Sequence, residues 1–165
     1  RRNTVKLLIL FDIGGSMDAH IEECQALCSA CRSEIKHQEY YYFHNFIYES
    51  VWKNNMRRTS ERTPTYDLLH TYGSDWKVIF VGDASMAPYE VSHAGGSVEH
   101  WNEEPGYVWM QRFMQHFDRL VWLNPYPQQS WHYTRSIDMI RKLVEGEMYP
   151  MTLAGLEQAM QALAR

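Results

Sequence analysis

The 165-residue chain lacks most features that would place it in an extreme class. No apolar run approaches the ~18 residues of a membrane span. The best, residues 5–11, is short and contains Lys6. No secretory leader pattern opens the chain. Positive charge is in short supply: 16 Lys and Arg against 20 Asp and Glu give a formal charge of -4. That argues against a nucleic-acid module built on a basic field. There are only three cysteines, an odd number, which argues against a secreted disulfide framework and favours a reducing cytoplasm. No G-x-x-x-x-G-K-S/T loop for nucleotide phosphates is present, and none of the eight histidines shows H-E-x-x-H or paired Cys/His spacing, so zinc is disfavoured.

What is present describes a globular chain. Apolar residues make up 45% and charged residues 22%, a balance that excludes intrinsic disorder. The length suits one domain over residues 1–165. The opening Arg1-Arg2, in place of Met, sets the expectation that this is the C-terminal part of a longer protein.

Residues 5–11 form a nearly continuous β-forming run closed by Asp12-Ile13-Gly14-Gly15-Ser16. A strand this apolar is normally covered on both faces, as in a parallel sheet. A helix is expected over 18–35. On it Cys24, Cys28, Cys31 and Ile35 share a face, with Ile21 and Leu27 beside it. This periodicity favours core packing over the iron–sulfur loop that the C-x3-C-x2-C spacing also allows. Two short antiparallel strands are predicted at 39–43 and 46–52, separated by a turn at Asn45, with the second at an edge. Residues 54–64, with Arg57, Arg58 and Arg62, read as a basic loop. Thr65 is a candidate N-cap for a helix over 66–72 closed by Gly73. A second apolar strand is predicted over 76–81, ending at Gly82-Asp83. The long connection at 84–106 is of a length that often carries function. Helices over 108–117, 136–144 and 153–163, and strands over 120–123 and 148–151, complete the pattern. The alternation argues a parallel-dominated α/β sheet with helices on both faces, which binds ligands beyond the carboxyl ends of its strands.

Two of the apolar strands end in an acid, Asp12 and Asp83. Together with Ser16 and Thr65 they supply two carboxylates and two hydroxyls from three loops at one sheet edge. This oxygen-only set suits Mg2+ or Mn2+, with Ca2+ as a further candidate. The simpler reading, Asp closing turns or capping helices, stands beside it.

Residues 5–17, Val-Lys-Leu-Leu-Ile-Leu-Phe-Asp-Ile-Gly-Gly-Ser-Met, resemble the first strand and metal-binding loop of the von Willebrand factor A domain. That family's loop reads Asp-x-Ser-x-Ser. Its metal-ion-dependent adhesion site adds a Thr from a second loop, matched by Thr65 with Thr63 as the alternative, and an Asp from a third, matched by Asp83. The resemblance runs through most of the chain in element order. It is nearest the bacterial CoxE-like branch in segments such as Tyr42-Phe43-His44-Asn45 and Gly96-Ser97-Val98-Glu99-His100-Trp101-Asn102. It implies a three-layer Rossmann-like fold with one antiparallel edge strand and a cation held by Asp12, Ser16, Thr65 and Asp83. It also implies a non-enzymatic role in which a protein partner, able to supply a carboxylate to the metal, meets the site, with a MoxR-type AAA+ ATPase in protein or metalloenzyme maturation. The departure is Gly14, where the family has its first Ser; a water could take its place. Two alternatives follow: a scaffold that has lost the metal, and a Mg2+-dependent phosphatase or other hydrolase, which lacks a second acid at position 14.

Overall fold

The computed structural model describes residues 3–56 and 59–165; Arg1 and Arg2, and Arg57 and Arg58 of the basic loop, lie outside the described residues. The strands are β1 (Asn3–Asp12), β2 (Ile35–Phe43), β3 (Ser50–Trp52), β4 (Arg62–Pro64), β5 (Lys77–Val81), β6 (Arg119–Asn124) and β7 (Met148–Pro150). The helices are α1 (Ile21–Glu34), α2 (Thr65–Thr71), α3 (Pro88–Ser92), α4 (Gly106–His116), α5 (Arg135–Leu143) and α6 (Leu153–Ala164).

The strands join in one sheet ordered β4-β3-β2-β1-β5-β6-β7. β1 pairs in parallel with β2 and β5, and β6 pairs in parallel with β5 and β7. β3 is antiparallel to both β2 and β4. The α/β class with a mostly parallel sheet and an antiparallel edge is therefore as the alternation of strands and helices predicts. The edge is a pair of strands, because residues 62–64 of the expected basic loop pair with β3.

The apolar run of β1 is buried because its side chains alternate between two cores. Leu8 and Leu10 join Phe80, Phe113, Trp122 and Ile140 on one face. Leu7, Ile9 and Phe11 join Leu27 of α1 and Ala159 and Leu163 of α6 on the other. All five of these β1 residues are at most 3% exposed, each stabilising the fold by about 1.5–3 kcal/mol relative to exposure. Parallel strands need crossovers, and helices on both faces supply them.

The structure corrects several boundaries. Only Ser50–Trp52 of the expected 46–52 strand is extended in the sheet, and β4 rather than this strand forms the edge. Phe46, Ile47 and Tyr48 are instead a core-filling loop, all at most 4% exposed. Their apolar character has the same look as a strand, but packing decides their shape. The strand before them starts at Ile35 rather than 39, and the helix expected over 18–35 opens as a 3-10 helix, Gly15–His20. The 84–106 connection contains α3. Among the described residues, no helix is long and apolar enough to cross a membrane.

On α1, Leu27 and Cys31 are buried while Cys24 and Cys28 are half-buried, and Ile21 is 50% exposed rather than joining the covered face. Burial, reinforced by the Cys28, Glu23 and Asp12 charges, pushes the Cys24 thiol up to about 12. Burial and then Cys28 push Cys31 to about 11. Burial also raises Cys28, against the pull of Arg32. Unfolded thiols ionise near the ordinary 9.0, so the stability these folded, neutral thiols contribute is whole below pH 9.0 and is lost as pH rises through 11 and 12. Urea melts should show stability falling across that alkaline window, with a shallower fall in Cys24→Ala. Iodoacetamide at pH 8 should alkylate Cys24 and Cys31 at least about tenfold more slowly in the folded chain than in the unfolded one, because the thiolate is the nucleophile.

Candidate metal centre

The register of the sheet brings two strand-terminal acids to one edge. Phe11 of β1 pairs with Val81 of β5, so Asp12 lies alongside Gly82, the residue before Asp83. A Cβ at Gly82 would stand 3.0 Å from the Asp12 Cβ and 3.2 Å from the Trp122 ring. A side chain there would crowd both neighbours, so glycine favours the close approach of the Asp12 side chain to this backbone.

Asp12 is 2% exposed and its Oδ1 accepts the Asn45 N–H at 2.9 Å. Asp83 is fully buried. Its Oδ1 accepts the Ser85 N–H at 3.0 Å, and its Oδ2 accepts the Ser16 hydroxyl. Its backbone carbonyl accepts the Asn124 amide at 2.9 Å. The Tyr126 hydroxyl faces the same carboxylate; burial, and then the Asp83 charge, push it above the ordinary tyrosine range. Among the described residues, every partner of the Asp83 carboxylate is neutral. Burying a carboxylate in that way costs several kcal/mol, a cost that a cation beside it removes.

The loop after Asp83 is strained and braced. Ala84 holds φ 58, unusual outside glycine. Its carbonyl accepts the Ser136 hydroxyl at 2.7 Å, and Ser136 Oγ accepts the Met86 N–H at 2.9 Å. Strain of this kind concentrates at functional sites. Ser16 is exposed on the 3-10 segment and its hydroxyl contacts Asp83, so the Ser16 side is where the buried acids come nearest to solvent.

Thr65 does not join this cluster through a described hydrogen bond. It opens α2 rather than capping it: Pro64 holds the cap position. Thr65 is fully buried, its N–H bonds the Glu49 carbonyl at 2.8 Å and its hydroxyl donates to the Tyr48 carbonyl at 2.6 Å. The oxygen retains lone pairs. The alternative, Thr63, lies in the β4 ladder opposite Val51.

Gly14 has φ 82 and ψ 174, a region essentially reserved for glycine. This is a physical reason for glycine at that position. Gly14→Ser should cost about 1–3 kcal/mol and lower Tm by roughly 2–12 °C, measured in EDTA. An unchanged Tm would show that the turn rearranges without strain.

Around the cluster, His44 Nδ1 lies 3.0 Å from the Ile13 carbonyl, and its Nε2 is 4.0 Å from Glu99. His100 pairs with Glu49 at 2.6 Å. The 97–100 segment is thereby drawn over the loop that follows β2. Trp109 is in the core, whereas Trp101 is 72% exposed. It is carried on a turn pinned by the fully buried Asn102, which bonds the Ser97 N–H and the Glu104 carbonyl. A groove of about 710 Å³ leaves Asp12 and Gly14 and follows α1 past Cys24 and Cys28 to Arg32 and Tyr42. The exposed Asp18 takes no described part in the cluster.

No family model, curated protein or solved structure matches this chain. The site therefore has to be read from its own chemistry. Among the described residues, no group of three or more His, Cys, Asp or Glu could hold a metal ion. A cation would depend on two carboxylates, hydroxyls and water, an oxygen set that fits a hard divalent ion. Tyr126, Asn124, Ser136 and Glu90, which support this edge together with Asn45, carry no site signal in the sequence. Asn45 was legible as a turn residue; the others carry no local signal, since their partners lie 41 to 52 residues away in the hydrogen bonds that matter.

Proposed function

We propose that this chain is a von Willebrand factor A-type protein-interaction domain of the CoxE-like branch, non-enzymatic and dependent on a divalent cation. The reading is carried by the fully buried Asp83 carboxylate, held by neutral donors next to Asp12 at the adjoining strand end. Asp12, Ser16 and Asp83 would hold Mg2+, or Mn2+ or Ca2+ in its place, directly or through water, with Thr65 contributing through water. When bound, the ion supplies a Lewis-acidic bridge to a partner's carboxylate. The chain's own residues orient the acids, exclude water beneath them and keep Ser16 at the opening. By the family resemblance the partner is a MoxR-type AAA+ ATPase, and the role is protein or metalloenzyme maturation in the cytoplasm.

Calorimetry with Mg2+ and Mn2+, followed by binding to such an ATPase with and without EDTA, tests the reading. Metal binding in the wild type, lost in Asp12→Ala, and partner binding lost in both EDTA and Asp12→Ala are expected. Partner binding that survives both would overturn the bridge. A second reading, a scaffold that has lost the metal, is favoured by the Gly14 backbone, which removes one hydroxyl from the family's set. No heat and no thermal shift at millimolar metal would establish it instead.

A further inference from the structure

Glu90 sits in the short helix α3 and is only 4% exposed. A carboxylate so buried must have its oxygens satisfied. Oε1 accepts the Asn45 side-chain amide at 2.8 Å, and Oε2 accepts the Ala87 N–H at 3.0 Å. The Glu90 backbone carbonyl accepts the Tyr48 hydroxyl at 2.6 Å. One side chain thus ties the loop after Asp83 to the loop that follows β2.

The tie continues to the candidate site. Asn45 holds a left-handed φ of 62, and its N–H in this turn donates to Asp12 Oδ1 at 2.9 Å. Glu90 therefore reaches Asp12 through two bonds of one residue, and through Ala87 it reaches the segment that begins at Asp83. We infer that Glu90 is a positioning residue, locking the Asn45 turn so that the Asp12 carboxylate is held in place beside the Asp83 loop and the affinity of the cation site is set. This rests on the metal reading above. Outer partners that orient ligands typically contribute about 10–100-fold to metal affinity.

Two variants separate positioning from charge. Glu90→Gln keeps the shape, but its amide cannot accept from both Asn45 and Ala87. Asn45→Gly tolerates the left-handed turn, keeps the N–H that Asp12 accepts, leaves the Glu90 charge and removes only the tether. In the metal-free protein, amide exchange at Asn45, followed by NMR, should quicken at least about tenfold in Glu90→Gln. Mn2+ affinity, read by electron paramagnetic resonance on samples shown to be folded by circular dichroism, should fall about tenfold or more in both variants. Unchanged Asn45 exchange would overturn the inference, as would faster exchange with wild-type Mn2+ affinity. Loss of affinity in Glu90→Gln but not in Asn45→Gly would replace positioning by charge. A wild type that binds no Mn2+ would overturn the metal reading, and with it the affinity role inferred for Glu90. Quickened Asn45 exchange would then show a purely structural brace.

Discussion

Asp83→Asn should stabilise the metal-free protein by about 1–3 kcal/mol while abolishing Mn2+ binding. The wild-type carboxylate is fully buried with the Ser16 hydroxyl and the Ser85 N–H as its hydrogen-bonded partners. Removing its charge removes a desolvation penalty. Asparagine preserves the volume and an oxygen for the Ser85 N–H, and its amide can donate to Ser16 or Tyr126, whose hydroxyls both accept. The variant therefore keeps its hydrogen bonds and loses only the charge. With metal present the order should reverse. A ligand at about 1,000 times its Kd stabilises the native state by about 4.1 kcal/mol, more than the advantage of the variant and a gain that only the wild type receives. Denaturant melts in EDTA and again in excess Mn2+ should cross. A variant that is less stable in EDTA, or that responds to Mn2+ as the wild type does, would show that Asp83 is an ordinary structural acid.

Trp122→Ala should cost about 3–5 kcal/mol, a large share of the 5–15 kcal/mol by which domains are stable. The Trp122 ring is fully buried and stacks on Phe80, with centroids 5.4 Å apart and planes within 3°. Phe43 and Phe46 meet it at 6.2 Å. Its Nε1 also donates to the Gly82 carbonyl at 2.8 Å, at the backbone that separates Asp12 from Asp83. Trp122→Phe keeps most of the packing but leaves that buried carbonyl without its donor, at about 1–3 kcal/mol. The alanine variant should lower Tm by roughly 6–20 °C in thermal unfolding. A loss below about 1 kcal/mol would mean the ring is not the keystone of its core.

How legible the molecule was depends on the range of the interaction concerned. The strand at 5–11 could be read because six of its seven side chains are apolar, a local pattern that holds whatever they pack against. The helices over 108–117 and 136–144 were legible for the same local reason, and their observed bounds, Gly106–His116 and Arg135–Leu143, differ by one or two residues. β4 was not legible. Its three residues, one of them Pro64, have no measurable period, and they become a strand only because β3 offers an unpaired edge. Residues 46–48 failed in the opposite way: their apolarity was real, but it served the core rather than a ladder.

By itself, the sequence determined the class of fold, the two apolar strands and the acids at their ends, because periodicity and turn chemistry act within a few residues. Tertiary structure alone decided the partnerships: Asp12 beside Gly82, Ser16 on Asp83, Thr65 turned to Tyr48, and Glu90 braced against Asn45. It also revealed that Gly14 occupies a backbone region that would strain a serine. Those contacts join residues far apart in the chain, and their geometry exists only once β1 and β5 have aligned and the helices have closed both faces of the sheet.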